Sequence, residues 1–453
     1  MRRRTKTGRT KTAEAGALVL VAVLALTGCT AQLSAQTAAS GGAGVDPIVE
    51  WIDQAAVPLE TADATAPLDD LAVLPSVVGD ATVVGLGESA HGLGDQFALR
   101  HRIVRYLVEE MGFRLLAWEA DYGSGVAVDR YVVDGVGDPR QIVGSMVSAW
   151  QSEQMLALVE WMRAYNRTHS DKVRFVGTDL TQLRQLSLDE ISSYVRAVAP
   201  GRLDELAAHL SAIHLHGDPG EHVAWYYQQT DKESLIGHAR AVRDLIAGLP
   251  ATTERDDVLR HAEAVLGFYL HYAQEGEDLR DRFMADSIIA WQRRTGHKTA
   301  FWGANVHVAA AEQVEYAFPP TVSAARLVPV GHWLRQQYGT GYAAVAGIFG
   351  SGEVLQGFET GRPAIYQVPV PRPGTTDHTL AQAGPDMLLL DLNVPAKAPA
   401  VRAWRDGPAT LRLIGAAYDI AMEEQYAMTV RCLSQAFDVL VYIDRTRPSR
   451  LLR

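Results

Sequence analysis

The chain has 453 residues, 47 % of them hydrophobic and 21 % charged, with a formal net charge of −11 at pH 7. That acidic balance argues against nucleic acid as a partner and against binding an anionic lipid face through basic side chains. The length allows a sizeable core, or a core carrying a large insertion.

The first 28 residues read as a leader rather than as fold. Arg2, Arg3, Arg4, Lys6, Arg9 and Lys11 form a basic start, and Gly16 to Leu26 an apolar run too short to span a bilayer. Leu26-Thr27-Gly28-Cys29 closes it and resembles a bacterial lipoprotein signal, in which the Cys becomes the lipidated first residue. Removing the leader's net +5 from −11 leaves −16. The expectation is an exported lipoprotein on the extracytoplasmic face of a bacterial membrane, held by the lipid on Cys29 alone. Residues 29–45 are rich in Ala, Ser, Gly and Gln and read as a flexible tether. Only Cys432 follows, so no disulfide is expected within the mature chain.

Residues 46–453 read as one α/β domain. Thr82 to Leu86 is an apolar run without alternation, as in a strand buried on both faces. It leads into Gly87-Glu88-Ser89-Ala90-His91-Gly92, a carboxylate and an imidazole three residues apart on a glycine-flanked turn. Helical spacing follows from Asp95 to Met111, Gly112 stops it, and Phe113 to Trp118 is a second apolar run ending in Glu119. This is a βαβ unit, whose strands are expected to be parallel neighbours with a ligand site beyond their carboxyl ends. A third strand at Val173 to Gly177 delivers Asp179. Residues 182–294 then change texture, with helical periodicity broken at Pro200-Gly201, at 217–220 and at Gly248 to Pro250. Three or four antiparallel helices are expected there, inserted as an arm or lid. The sheet resumes at Lys298 to Gly303, followed by Ala304-Asn305-Val306-His307, with further strands at Tyr342 to Phe349, Met387 to Leu392, Leu411 to Gly415 and Phe437 to Ile443. The fold class is therefore a mainly parallel sheet flanked by helices, with a long helical insertion.

Four strand ends thus supply Glu88 with His91, Glu119, Asp179, and Asn305 with His307. An imidazole beside carboxylates that hold its tautomer suits general-base chemistry. The same residues could ligate a metal, although no His-Glu-x-x-His pair or comparable helical pair occurs. His214, His216, Asp218, Glu221 and His222 surround a Gly-Pro-Gly break and read as a solvated loop. No G-x-S-x-G elbow is present, which favours activated water over a serine nucleophile.

The combination resembles the erythromycin esterase family. It is carried by Gly87 to Gly92, Arg100-His101-Arg102, Trp118-Glu119-Ala120, Trp161 to Asn166 and Gly177-Thr178-Asp179. It continues through Arg280 to Ala285, Asn305 to Val308, Gly331 to Leu334 and Phe437 to Asp444. The resemblance implies an α/β core with a helical arm, and hydrolysis of the lactone ester of 14-membered macrolides without a required metal or other cofactor. It makes His91 the general base, Glu88 and Glu119 its carboxylate partners, Arg100 the site arginine, and His307 the second histidine of the family's H-N-x-H segment. Asn305, Asp179 and Asp121 are supporting residues for a small ester or lactone substrate. The first histidine of that segment is Ala304 here, which implies weak macrolide turnover or another substrate. The alternatives are a metal-dependent hydrolase in the same cleft and a non-catalytic envelope-binding protein on the same fold.

Overall fold

The computed structural model describes residues 46–273, 278–319, 322–358 and 361–452. The leader, the tether and Cys29 lie outside the described residues.

Six parallel strands form the centre of a nine-stranded sheet. Their order across it is Val439–Thr446, Tyr342–Gln356, Val83–Glu88, Lys298–Ala304, Phe113–Asp121 and Arg174–Asp179. Met387–Asp391 and Val57–Pro58 extend one edge antiparallel, and Ala364–Val368 pairs antiparallel with the outer half of Tyr342–Gln356. Every residue of Val83–Glu88 is buried, which explains the unalternating apolar run. Helix Gly94–Glu109 lays Phe97, Ile103, Val104 and Leu107 on one face of the sheet. The chain then turns at Gly112, whose φ of 73° suits glycine.

The strands ending at Glu88 and Asp121 are parallel but are not neighbours. Lys298–Ala304 lies between them, pairing Val83 with Thr299 on one side and Leu116 with Ala300 on the other. The βαβ expectation of adjacency is corrected on this point: a strand arriving from beyond the insertion occupies the gap that the helical crossover leaves. This placement puts Ala304 directly beside Glu88 in register.

Between Asp179 and Lys298 run six α-helices among the described residues: Gln185–Val198, Leu203–Ala212, Pro219–Tyr227, Lys232–Ala247, Thr253–Ala273 and Asp278–Thr295. They exceed the three or four expected because two further separations, at Gln228–Asp231 and between Ala273 and Asp278, were not read from the sequence; at the first, which has no proline or glycine, Asp231 caps the next helix from its side chain. The first five enclose their own core, including Ile191, Leu206, Tyr226, Val242 and Phe268. The sixth instead packs Met284, Ile288 and Ile289 with the sheet. A small antiparallel sheet (Ala409–Arg412, Ala427–Val430, Val314–Phe318, Val322–Leu327) completes the fold.

Candidate active site

The turn after Val83–Glu88 is fixed by its backbone. The His91 amide donates to the Gly415 carbonyl (3.0 Å), the Ile414 amide to that of Ser89 (2.7 Å), and Leu355 and Ser449 both donate to that of Gly92 (3.1 and 2.8 Å). Gly92 has a φ of 89°, and a side chain there would strike the Leu355 carbonyl. Gly87 is equally constrained, because a Cβ would collide with the Asn305 carboxamide.

Held this way, Glu88 and His91 face each other. Glu88 Oε1 accepts from His91 Nδ1 at 2.5 Å, Glu88 Oε2 accepts from Arg100 Nη2, and Trp302 Nε1 lies 3.4 Å from the same oxygen. The carboxylate can only accept, so His91 carries its proton on Nδ1 and presents Nε2 outward. Burial disfavours the Glu88 charge, but Arg100 and His91 outweigh it and hold the carboxyl below its ordinary value. For His91 burial likewise opposes the charge, and the Glu88 hydrogen bond and charge, aided by Glu119, raise the imidazole above its usual value. Arg100 also stacks on Trp302, 4.3 Å from the ring centre. The Trp150 and His91 rings meet in a T-shaped contact at 4.7 Å between centroids, and Trp150 Nε1 donates to the Glu119 carbonyl (2.9 Å).

A second cluster is centred on Arg280, which the arm's last helix supplies. Its Nη2 donates to Glu119 Oε1 and Asp179 Oδ2 (2.7 Å each), its Nε to Asp179 (3.1 Å), and its Nη1 lies 3.1 Å from His307 Nε2. His307 Nδ1 is 2.9 Å from Asp281 Oδ1, which also accepts from the Val330 amide, and His307 Nε2 is 3.3 Å from Glu119 Oε1. Burial works against the His307 charge, yet Asp281 and Glu119 push its pKa up to about 10. That shift favours the charged ring at neutral pH over a role as base, with Nδ1 donating to Asp281 and Nε2 lying between Glu119 Oε1 and Arg280 Nη1. Burial would raise Glu119, but His307, Arg280 and His91 hold it well below the carboxylate range. The amide of Ala304 donates to its other oxygen (2.8 Å).

The structure thus brings together His91, Glu88, Arg100, Glu119, Asp179 and His307. Asn305 is fully buried and bonded in both directions to the Gly347 backbone (2.8 and 3.0 Å), where it ties the end of Lys298–Ala304 to the strand Tyr342–Gln356. Asp121 is turned elsewhere: it caps helix Tyr122–Asp134 through the Ser124 amide and pairs with Arg184 (2.8 Å each). Arg280, Asp281, Trp150 and Trp302 were not singled out from the sequence. The first two stand in the helical stretch 182–294, and their only signal is the Arg280 to Ala285 segment of the family pattern. Of the ionisable groups, His91 and Arg280 are those that reach the open side, with side chains 13 % and 16 % exposed, against at most 5 % for Glu88, Arg100, Glu119, Asp179, Asp281 and His307.

Among the described residues no three or more His, Cys, Asp or Glu side chains are disposed to hold a metal ion. The histidines of the arm are engaged otherwise. His222 is buried 3.1 Å from the Tyr269 hydroxyl, His216 stacks on Trp225, and Asp218 and Glu221 form a reciprocal helix cap.

The profile of the family described as erythromycin esterase matches residues 108–446. The chain belongs to the erythromycin esterase family. It is 28 % identical over 131 residues to the erythromycin esterase type II of Escherichia coli, a stretch covering 29 % of this chain and 31 % of that protein. The match therefore spans less than a third of that relative's length. Among solved structures, a succinoglycan biosynthesis protein superimposes with a TM-score of 0.77 at 25 % identity, covering 91 % of this chain and all of that one. A His-to-Asn mutant of the erythromycin esterase EreC in its open conformation gives 0.64 at 19 % identity, over 86 % of this chain and 97 % of that one. The sheet flanked by helices is thus the fold of erythromycin esterases.

Proposed function

We propose that this erythromycin esterase family member is a hydrolase cleaving an ester or lactone with water that His91 activates. The observation that carries the reading is the Glu88–His91 contact, which occupies Nδ1 and leaves Nε2 on the open side. His91 Nε2 takes a proton from water as the water oxygen adds to the ester carbonyl carbon. The tetrahedral oxyanion then collapses, the carbon–oxygen bond to the alcohol breaks, and the leaving alkoxide recovers the proton from His91. Glu88, itself held ionised by Arg100, orients the ring and stabilises the transient imidazolium, while Arg280 contributes positive charge on the same side.

The donor set supports a metal-free route, since the guanidinium groups of Arg100 and Arg280 already pair with Glu88, Glu119 and Asp179. The membrane enters the proposal only through Cys29, and neither nucleic acid nor a further cofactor has a role in it. The test is hydrolysis of aryl esters and a 14-membered macrolide by the chain from Gly44 onward, beside His91→Ala, with and without a chelator. Turnover that is lost in the variant and indifferent to the chelator is expected. Loss on chelation would favour the metal-dependent alternative, and ligand binding without turnover the binding-protein one.

A further inference from the structure

A small chamber is lined by Leu86, Leu99, Ile103, Val345, Val441 and Ile443, with Gln96 and Arg100 as its polar walls. The two polar residues stand one helical turn apart on helix Gly94–Glu109 and are 3 % and 4 % exposed. Gln96 is held by its other end: its Oε1 accepts from the Ser89 amide (3.4 Å), and its backbone carbonyl accepts from Arg100 Nε (3.2 Å). Its Nε2 and Arg100 Nη1 are both buried and have no protein acceptor. Two such donors, one of them cationic, are costly to leave unmet. The chamber has room for about one water molecule. An anion would fit the donors, but it would stand beside the Glu88 carboxylate, which already matches the Arg100 charge. A neutral acceptor suits the chamber better.

We propose that one buried water molecule bridges Gln96 Nε2 and Arg100 Nη1, making Gln96 a positioning residue that sets how firmly His91 holds its proton. The route has three links. The water occupies Arg100 Nη1 and leaves Nη2 aimed at Glu88 Oε2; Glu88 Oε1 in turn holds His91 Nδ1. The charged groups facing His91 are Glu88 on its own turn, Glu119 from the neighbouring strand end and Arg280 from the arm, with Arg100 behind Glu88. Gln96 touches none of the reacting atoms. The inference rests on His91 being the base, so its test reads the imidazole directly as well as through activity.

The experiment uses the full chain and two variants. Gln96→Glu keeps an acceptor for the Ser89 amide and turns a carboxylate oxygen toward Arg100 Nη1. It displaces the water and draws guanidinium charge away from Glu88, which leaves more negative charge on His91. The His91 midpoint, followed by nitrogen NMR of labelled histidine, should rise by about one pH unit, at the lower end of what a new charge within a few ångströms produces. Gln96→Leu should lose the ordered solvent peak between these positions in a crystal structure, a peak the parent shows within hydrogen-bond distance of both donors. A parent chamber without that peak, or a Gln96→Glu protein whose His91 midpoint is unmoved, overturns the proposal. If no ester is hydrolysed at all, the reading of His91 as base fails, and the NMR shift and solvent peak still decide the role of Gln96.

Discussion

Glu119 and Arg280 meet at 2.7 Å although one ends a strand of the sheet and the other opens the last helix of the arm, 161 residues later. Asp179 shares the same guanidinium, so two buried carboxylates are bound by one cationic side chain that the arm carries in. The arm is therefore latched to the strand ends by charge as well as by packing. Arg280→Ala removes the charge partner of Asp179 and one of those of Glu119, and breaking a buried pair in this way typically costs about 3–5 kcal/mol. Thermal unfolding of Arg280→Ala should show that loss, and adding Glu119→Gln should recover part of it. A variant that melts with the parent would show the latch to be idle.

The pH dependence follows from His91. Its imidazole titrates above the ordinary value, so below that midpoint the ring is already protonated and cannot take a proton from water. kcat/KM should fall about tenfold per pH unit below the midpoint and level off above it, giving an optimum on the alkaline side. In Glu88→Gln the main raising partner is gone and burial prevails, so the acid limb should move to lower pH while the rate drops. An acid limb that stays in place in Glu88→Gln would remove Glu88 from the role of partner.

What the sequence revealed and what it hid divide along chain distance. Glu88 and His91 were readable because a strand and a glycine turn set their relative positions within four residues, whereas Arg100 came only from the family resemblance. Glu119, Asp179 and His307 were readable as residues at strand ends, since parallel strands present those ends on one side. Arg280 and Asp281 were not, because an Arg-Asp pair early in a polar helix has the same pattern whether it meets water or a buried cluster. The insertion of Lys298–Ala304 between the first two strands was also hidden, since strand order is decided by packing across the sheet and not by any local signal. Asn305 was visible as a polar residue at a strand end, but only the structure shows it spent on the Gly347 backbone.

His307 gives a stability prediction of definite sign. Its folded pKa, about 10, lies above the ordinary 6.5, so its stabilising contribution is complete below pH 6.5 and is lost as pH rises through about 10. The parent should therefore lose stability to denaturant between those limits. His307→Gln should be less stable at pH 6 and lack this part of the slope. Parallel profiles for the two proteins would show that His307 is not held as an imidazolium.

The proposed anchor can be separated from the fold. No described helix is long and apolar enough to cross a membrane. Cys29→Ala should therefore shift a membrane-partitioning protein to the soluble fraction, because Cys29 is the only attachment in the proposal. Fractionation of cells expressing each form decides it, and unchanged partitioning of the variant would refute lipidation at this residue.

Ala304 bears on the substrate. It lies between the ends of the Glu88 and Glu119 strands, in register with Glu88, and its amide holds Glu119. The family pattern has an imidazole here, a position from which a donor could reach the oxyanion formed at the carbonyl. Loss of one such donor typically costs about 10²–10³ in turnover. Native protein should therefore turn over a 14-membered macrolide weakly or not at all, and Ala304→His should gain. The residue is only 5 % exposed, so the larger ring must displace neighbours, at a cost of about 1–3 kcal/mol in stability. Turnover has to be measured beside thermal unfolding, at a temperature where both forms are folded and with His91→Ala as the blank. Efficient macrolide hydrolysis by the native chain, unimproved in a folded Ala304→His, would show that this position is not an oxyanion donor and that the missing imidazole does not set the substrate.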